Sequence, residues 1–228
     1  VNKLAVVRLG VDVPYEQVWA LQRRIHAWRA DDRGPDVALL LEHAPVYTAG
    51  KRTTPGERPT DGTPVVEVDR GGRITWHGPG QLVGYPIVKL DGSIGVVAYV
   101  RSLEEALINV CADFGVAVRR VEGRSGVWVP GDPAVGLPDR MLGAVGIRVS
   151  RGTTMHGFSL NCSNDPSWYN RIVPCGIDGA GVSSLSAETG RRIVVDEVLP
   201  FAEKRLAEAL AAEPYDLHED DLATAMRA

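Results

Sequence analysis

The chain has 228 residues, 44% of them hydrophobic, and a formal net charge of −4. That length suits one domain with an ample core, and the acidic balance gives no overall nucleic-acid footprint. Cys111, Cys162 and Cys175 form no CxxC pair, so neither a zinc site nor a disulfide framework is expected, and a reducing compartment is.

No stretch approaches the ~18 apolar residues of a membrane span. The opening VNKLAVVRLG turns polar too soon for a signal peptide. The chain starts at Val1 rather than Met, which leaves a trimmed leader open. A cytoplasmic protein with no membrane or nucleic-acid partner is the expectation.

LAVVRLG reads as a first strand. A helix follows, with Asp12 as N-cap, Pro14 in its first turn and Val18, Leu21, Ile25 and Trp28 at helical spacing. DVALLLEHAPVYTAG reads as a buried strand entering a loop, and residues 52–64 as an exposed Pro/Gly/Thr-rich loop. VVEVDRGGRITWHGPGQLVGYPIV gives short strands around glycine turns. Val96, Val100, Leu103, Leu107, Val110 and Phe114 mark a long helix with one apolar face.

VAVRRVEGRSGVWVP predicts two short strands, and LGAVGIRVSRGTTMHGFSLNC a hairpin turning near Gly152. DPSWYNRI reads as a short helix. The tail is helical from about Asp196, with Val198, Phe201, Leu206 and Leu210 to dock it. Strands in mixed order with a few long helices predict one α+β (mixed α/β) domain over residues 1–228, its C-terminal helix and tail covering about 196–228.

Four glycines crowd DRGGRITWHGPGQ. Such a density costs conformational entropy unless backbone must take positive φ or lie close to something. The pattern is neither a P-loop nor a dinucleotide fingerprint. Paired hairpin turns and a ligand site are equally open readings, with Arg70 and His77 flanking the glycines favouring the second. Cys175 stands between Pro174 and Gly176, accessible as a nucleophile if a cation or histidine lowers its pKa. His77 and His156 are its candidate partners. Cys111 fits a buried apolar role better, and Cys162 is uninformative. His26 and His218 read as surface residues, His43 as a loop-ordering group and Tyr85 as a strand residue.

LLEHAPVYTAG, RGGRITWHGPGQLVGYPI, GRSGVWV, GAVGIRVSRGTTMHGFSLN and IVPCGI, in this order over residues 37–190, together resemble the octanoyltransferase family of lipoate biosynthesis, its actinobacterial members above all. The resemblance implies the fold of the biotin and lipoate protein ligase catalytic domain, a mixed sheet flanked by helices. It implies transfer of an octanoyl (or lipoyl) group from acyl carrier protein, through a thioester on Cys175, to a lysine of lipoyl domains. The acceptors implied are 2-oxoacid dehydrogenase E2 subunits and the glycine cleavage H protein. Thioester exchange is nearly isoenergetic, so no cofactor and no metal is expected. By motif, the acyl pocket falls on Arg70, Gly71, Gly72, Arg73, Ile74, Thr75, Trp76 and His77, on Ala144, Val145 and Gly146, and on Gly157, Phe158 and Ser159. A monomer is the family-based expectation. The carrier is acidic, so a basic docking face is expected, with Arg23, Arg24, Arg148, Arg151 and Arg171 as candidates.

One position departs from the family pattern Arg-Lys-x-x-Ala-x-Gly. Here the segment is RMLGAVG, and Met141 stands where the family's pKa-lowering lysine would. Arg140 is adjacent, faces away in a strand and cannot act as a base. Three readings are open: an engineered or inadvertent Lys→Met change, a variant in which His77 or His156 takes over proton transfer, or an acyl-binding protein that no longer transfers. Impaired activity is the expectation. An ATP-dependent lipoate–protein ligase is the weaker alternative, because the central motifs hold no lysine.

Overall fold

The computed structural model describes residues 2–90, 92, 95–173 and 181–227. The chain begins with β1 (Asn2–Val13), α1 (Tyr15–Ala30), β2 (Asp36–His43), β3 (Val46–Ala49), β4 (Val65–Glu67), β5 (Thr75–His77) and β6 (Gln81–Ile87). Helix α2 (Val96–Asp113) leads to β7 (Arg119–Val121), β8 (Arg124–Val129), β9 (Arg140–Ser150) and β10 (Thr153–Asn161). The last part holds β11 (Gly181–Val182), α3 (Leu185–Thr189), α4 (Val195–Ala209), β12 (Ala212–Asp216) and α5 (Glu219–Ala225).

Nine strands make one mixed sheet in the order β12-β1-β2-β6-β10-β9-β8-β7, with β11 added beside β9. β1 runs parallel to β2 and β12, whereas β2, β6, β10, β9, β8 and β7 pair antiparallel in turn. α2 and α4 cover one face through Leu103, Leu107, Val198 and Leu206. α1 covers part of the other through Tyr15, Val18 and Ile25. Beside α1 a small sheet, β4-β3-β5, stands over a third apolar cluster. This is the mixed α+β architecture expected from the strand order. Among the described residues no helix is long and apolar enough to cross a membrane.

Two local expectations change. Asp12 is not the N-cap of α1; it lies in β1 at φ 57°, and Pro14 caps the helix with its extended backbone. The tail is more than a docked helix, because Ala212–Asp216 returns as an edge strand on β1. AEPYD lacks the alternation that marks a half-buried strand, so backbone pairing alone defines it. The predicted hairpin is present, and Arg151 at φ 52° and Gly152 at φ 69° form its two-residue turn. Such primed turns match the twist of the strands they join.

β9 contains a bulge that matters for the site. Val127 pairs with Gly143, but Trp128 pairs with Met141, so Leu142 is the extra residue. A bulge shifts the in/out parity of a strand by one. Leu142, Val145 and Ile147 therefore face α2, while Met141 and Ala144 face the opposite side.

Glu104 ties α2 to this half of the sheet. It is fully buried, accepts the Gly126 N–H at 2.9 Å and pairs with Arg101 and Arg120 at 2.7 and 3.2 Å. Glu104→Ala strips a buried N–H and two guanidinium groups of their acceptor, and is expected to cost roughly 3 kcal/mol in denaturant unfolding. A change below 0.5 kcal/mol would show that the carboxylate is dispensable.

Candidate active site

The floor of the site is a patch of sheet where two glycines and an alanine leave little side chain. β9 and β10 pair with Gly146 opposite Gly157, Val145 opposite Phe158 and Ala144 opposite Ser159. The two glycines and Ala144 leave a cavity of about 530 Å³ above the sheet. Gly157 has no alternative, because a Cβ there would stand 2.1 Å from the Gly84 carbonyl oxygen of β6. A Cβ at Gly146 would press on Gly71 O and the Arg70 side chain at 3.1 and 3.4 Å.

The glycine-rich segment between β4 and β5 forms one wall. Gly71 donates its N–H to Ile147 O at 2.8 Å, which staples this segment to β9. Arg70 is buried and donates to Thr48 O, Thr48 Oγ1, Gly71 O and Arg73 O at 2.8–3.0 Å. Its role here is to organise the loop. Arg70, Gly72, Arg73, Thr75 and His77 line the cavity. Gly71 does not, and Ile74 and Trp76 face away, into the cluster that holds Met141. Alternation along β5 explains the split.

Three buried histidines surround the inner end. His77 Nδ1 lies 2.8 Å from Gln81 Oε1, and the Gln81 amide nitrogen donates to Trp76 O, Asn161 Oδ1 and Tyr169 Oη. Those acceptors fix the amide orientation, so His77 donates from Nδ1 and keeps its lone pair on Nε2. Burial, with His43 and Arg70 nearby, lowers its pKa to about 3. His43 donates from Nδ1 to Val13 O and accepts the Tyr85 hydroxyl on Nε2, at 2.9 and 2.8 Å. Burial lowers its pKa to about 4. Burial also raises Tyr15 to about 12 and lifts Tyr85 well above its ordinary value. These imidazole and phenol groups are thus neutral at pH 7.

His156 breaks the strand rule. At φ 58° it occupies the left-handed region. Its ring lies beside Trp19 and Tyr85 on the α1 side, although Phe158, two residues on, faces α2. Nε2 donates to Asp69 Oδ1 at 2.7 Å, and Nδ1 is buried without a hydrogen-bond partner among the described residues. Burial outweighs Asp69 and keeps the His156 pKa low. Burial alone would raise Asp69, but His156 and Arg148 hold it below the usual carboxylate range. Backbone strain of this kind gathers at functional sites.

Met141 is 2% exposed and packs with Tyr47, Ile74, Trp76, Trp128, Tyr169 and Ile172. Its thioether suits aromatic neighbours. Arg140 points elsewhere, to Glu188 at 3.0 Å. Cys175 lies outside the described residues. On either side of residues 174–180, Val173 donates its N–H to Glu57 O, while Gly181 and Val182 pair with Arg140 and Met141. Cys111 and Cys162 are fully buried, and burial raises both thiols, Cys162 to about 12.

Tyr15, Arg52, Tyr85, Glu122, Gly123, Arg124 and Ser125 also line the cavity. Sequence reasoning passed over them as wall residues, because they arrive from four separate segments. His218 is at the surface as expected; His26 is half-buried, with Nε2 3.0 Å from Ser150 O. Among the described residues no group of three or more His, Cys, Asp and Glu is placed to hold a metal.

The family model of the lipoyl protein ligase A/B catalytic domain matches residues 14–207. The octanoyltransferase of Acidothermus cellulolyticus is 62% identical over 93% of this chain and 95% of its own length. That of Salinispora tropica is 60% identical over 89% and 94%. Among solved structures, a putative lipoate protein ligase from T. acidophilum with bound lipoic acid superposes with a TM-score of 0.74 at 12% identity, covering 99% of this chain and 93% of its own. Biotin protein ligase from Aquifex aeolicus gives 0.52 at 15% identity, covering 92% and 70%. These distant structures establish the fold.

The neutral histidines make stability depend on pH. His43 and His77 bind protons in the unfolded chain near pH 6.5 but in the folded chain near 4 and 3. Between those values the unfolded state holds more protons, so stability is full above about pH 6.5 and falls as pH drops. Denaturant titrations should show a loss of roughly 2–3 kcal/mol from pH 7.5 to 5.5. A flat profile over that window would mean that the two rings take up protons as readily in the folded chain as in the unfolded one.

Proposed function

The chain belongs to the lipoyl protein ligase A/B catalytic family, on its octanoyltransferase branch, and we propose that it moves an octanoyl group in two steps through a thioester on Cys175. It is an acyltransferase of protein lipoylation. The donor in this reading is octanoyl-acyl carrier protein. The acceptors are lysines of lipoyl domains, on 2-oxoacid dehydrogenase E2 subunits and the glycine cleavage H protein.

The observation that carries the reading is the cavity above Gly146 and Gly157, whose bare backbone lets an unbranched acyl chain lie against the sheet. Its volume falls within the range typical of small-molecule sites. Cys111 and Cys162 are poor nucleophiles, being fully buried with raised thiol pKa values, which leaves Cys175. The Cys175 sulfur attacks the thioester carbonyl carbon as its proton leaves, and the carrier thiolate departs and is protonated. The acceptor's neutral lysine amine then attacks the Cys175 thioester, expels the thiolate and, on losing a proton, becomes an amide. A proton acceptor is needed in both steps.

The residue suited to that role in the family pattern is replaced by Met141, so this chain works below the capacity of its scaffold. The His77 Nε2 lone pair faces the cavity, but an imidazole held at a pKa of about 3 is a weak base for a thiol and compensates little.

Intact-mass measurement after incubation with octanoyl-carrier protein should show an octanoyl adduct that hydroxylamine removes and Cys175→Ser prevents. An adduct on Cys111 or Cys162 would overturn the assignment. Met141→Lys should raise transfer to a lipoyl domain by roughly 10²-fold, the usual scale of a restored acid–base group. The same substitution should lower unfolding stability by about 1–3 kcal/mol, because an ammonium enters an aromatic cluster. Transfer that stays flat in Met141→Lys would show that position 141 does not limit the reaction.

A further inference from the structure

The arginines expected to form a docking face are largely neutralised. Arg148 pairs with Asp69, Arg151 with Asp31 and Arg171 with Asp61, and Arg23 lies over the Trp19 ring at 4.4 Å. Uncompensated positive charge gathers instead at the mouth of the cavity. Four arginines line that cavity. Arg70 is occupied by the loop it organises, and Arg73 is paired with Glu57. Arg52 and Arg124 have no ion pair and no side-chain hydrogen bond among the described residues. Glu122, also at the mouth, pairs with neither.

Both cations are set on constrained backbone. Arg52 donates its N–H to Gly72 O at 3.0 Å, and its neighbour Lys51 donates to Arg70 O at 3.1 Å, so this loop is fastened to the glycine-rich wall. Arg124 closes the β7–β8 turn opposite Val121, with its guanidinium 5.5 Å from the Trp128 ring centroid. Asp139, the acid on that side, is engaged by Arg119 and the Gly131 N–H. Arg52, Glu122, Gly123 and Ser125 are exposed and Arg124 is half-buried, whereas Tyr15, His77, Tyr85, His156 and Phe158 are buried. The cavity therefore runs from a cationic rim to a neutral interior.

We propose that Arg52 and Arg124 form a phosphate clamp at the cavity mouth that takes the phosphodiester of a pantetheine thioester donor. This rests on the reading that the donor is an acyl-carrier thioester. An acyl chain held in the neutral interior must trail its carrier arm out through the rim, and the anion travelling on that arm is a phosphodiester. Guanidinium groups suit it, since they bind phosphate oxygens through paired N–H donors. Their place at the open rim makes the interaction salt-sensitive.

The test needs no turnover. Binding of 4′-phosphopantetheine, pantetheine and AMP to the full chain can be followed by tryptophan fluorescence, with Trp128 beneath Arg124 as reporter. At low salt, 4′-phosphopantetheine should bind about tenfold more tightly than pantetheine, the gain typical of one charge-assisted contact. That advantage should shrink with added salt and vanish in the Arg52→Ala, Arg124→Ala double variant, with pantetheine binding unchanged. Arg124→Lys should retain part of it. Equal binding of the two pantetheines, or an advantage that survives in the double variant, would overturn the clamp. AMP binding as tightly as 4′-phosphopantetheine would overturn it too, by marking a nucleotide phosphate site. If the phosphate preference holds while no octanoyl transfer is detected, the clamp stands and the transferase reading falls.

Discussion

The close approach of β10 to β6 is the constraint on which the rest of the site depends. Gly157 lies so near the Gly84 carbonyl that no side chain fits between them. That contact fixes bare backbone at the centre of the sheet, with Gly146 across from it on β9. The wall at residues 70–73 can then close down, because Gly71 reaches Ile147 O only across a surface free of side chains. A packed core of ordinary side chains would have filled this space, as protein interiors do. Glycine here exchanges conformational freedom for an opening of defined shape.

The second organising choice is electrical. Charged side chains are kept out of the interior or tied into loops, and the three histidines are held neutral by burial. In such surroundings a tautomer matters more than a net charge. Gln81 sets that of His77 through three acceptors on different segments, Trp76, Asn161 and Tyr169. Met141 belongs to the same economy of charge. In the aromatic cluster it is a well-packed apolar residue that suits the core.

Much of this was legible in the sequence, for identifiable reasons. The strands and helices followed from periodicity, and GAVG and GFS fell on neighbouring strands because a hairpin turn fixes register. The parity of Met141 was not legible, since it depends on Leu142 being an extra residue, which only the pairing with β8 reveals. His156 was readable as a polar residue near the site, but its left-handed backbone carries no side-chain signature. Tyr15 looked like a helix core residue, and Arg52 and Arg124 like surface charges. Each became part of the cavity through topology, which brings four distant segments to one place. β12 escaped notice because an edge strand can be held by backbone alone.

That last strand has a consequence for how the protein is made. The outer edge of β1 has its hydrogen-bonding groups satisfied by Ala212–Asp216, almost the full length of the chain away. During synthesis β1 emerges long before β12, so the edge of β1 stays open until Ala212–Asp216 has been made. Unpaired edges invite pairing with other chains, and distant pairings form slowly. The short α5, docked through Leu222 against the cluster that includes β1, follows β12 in the chain and so joins the same late step of assembly.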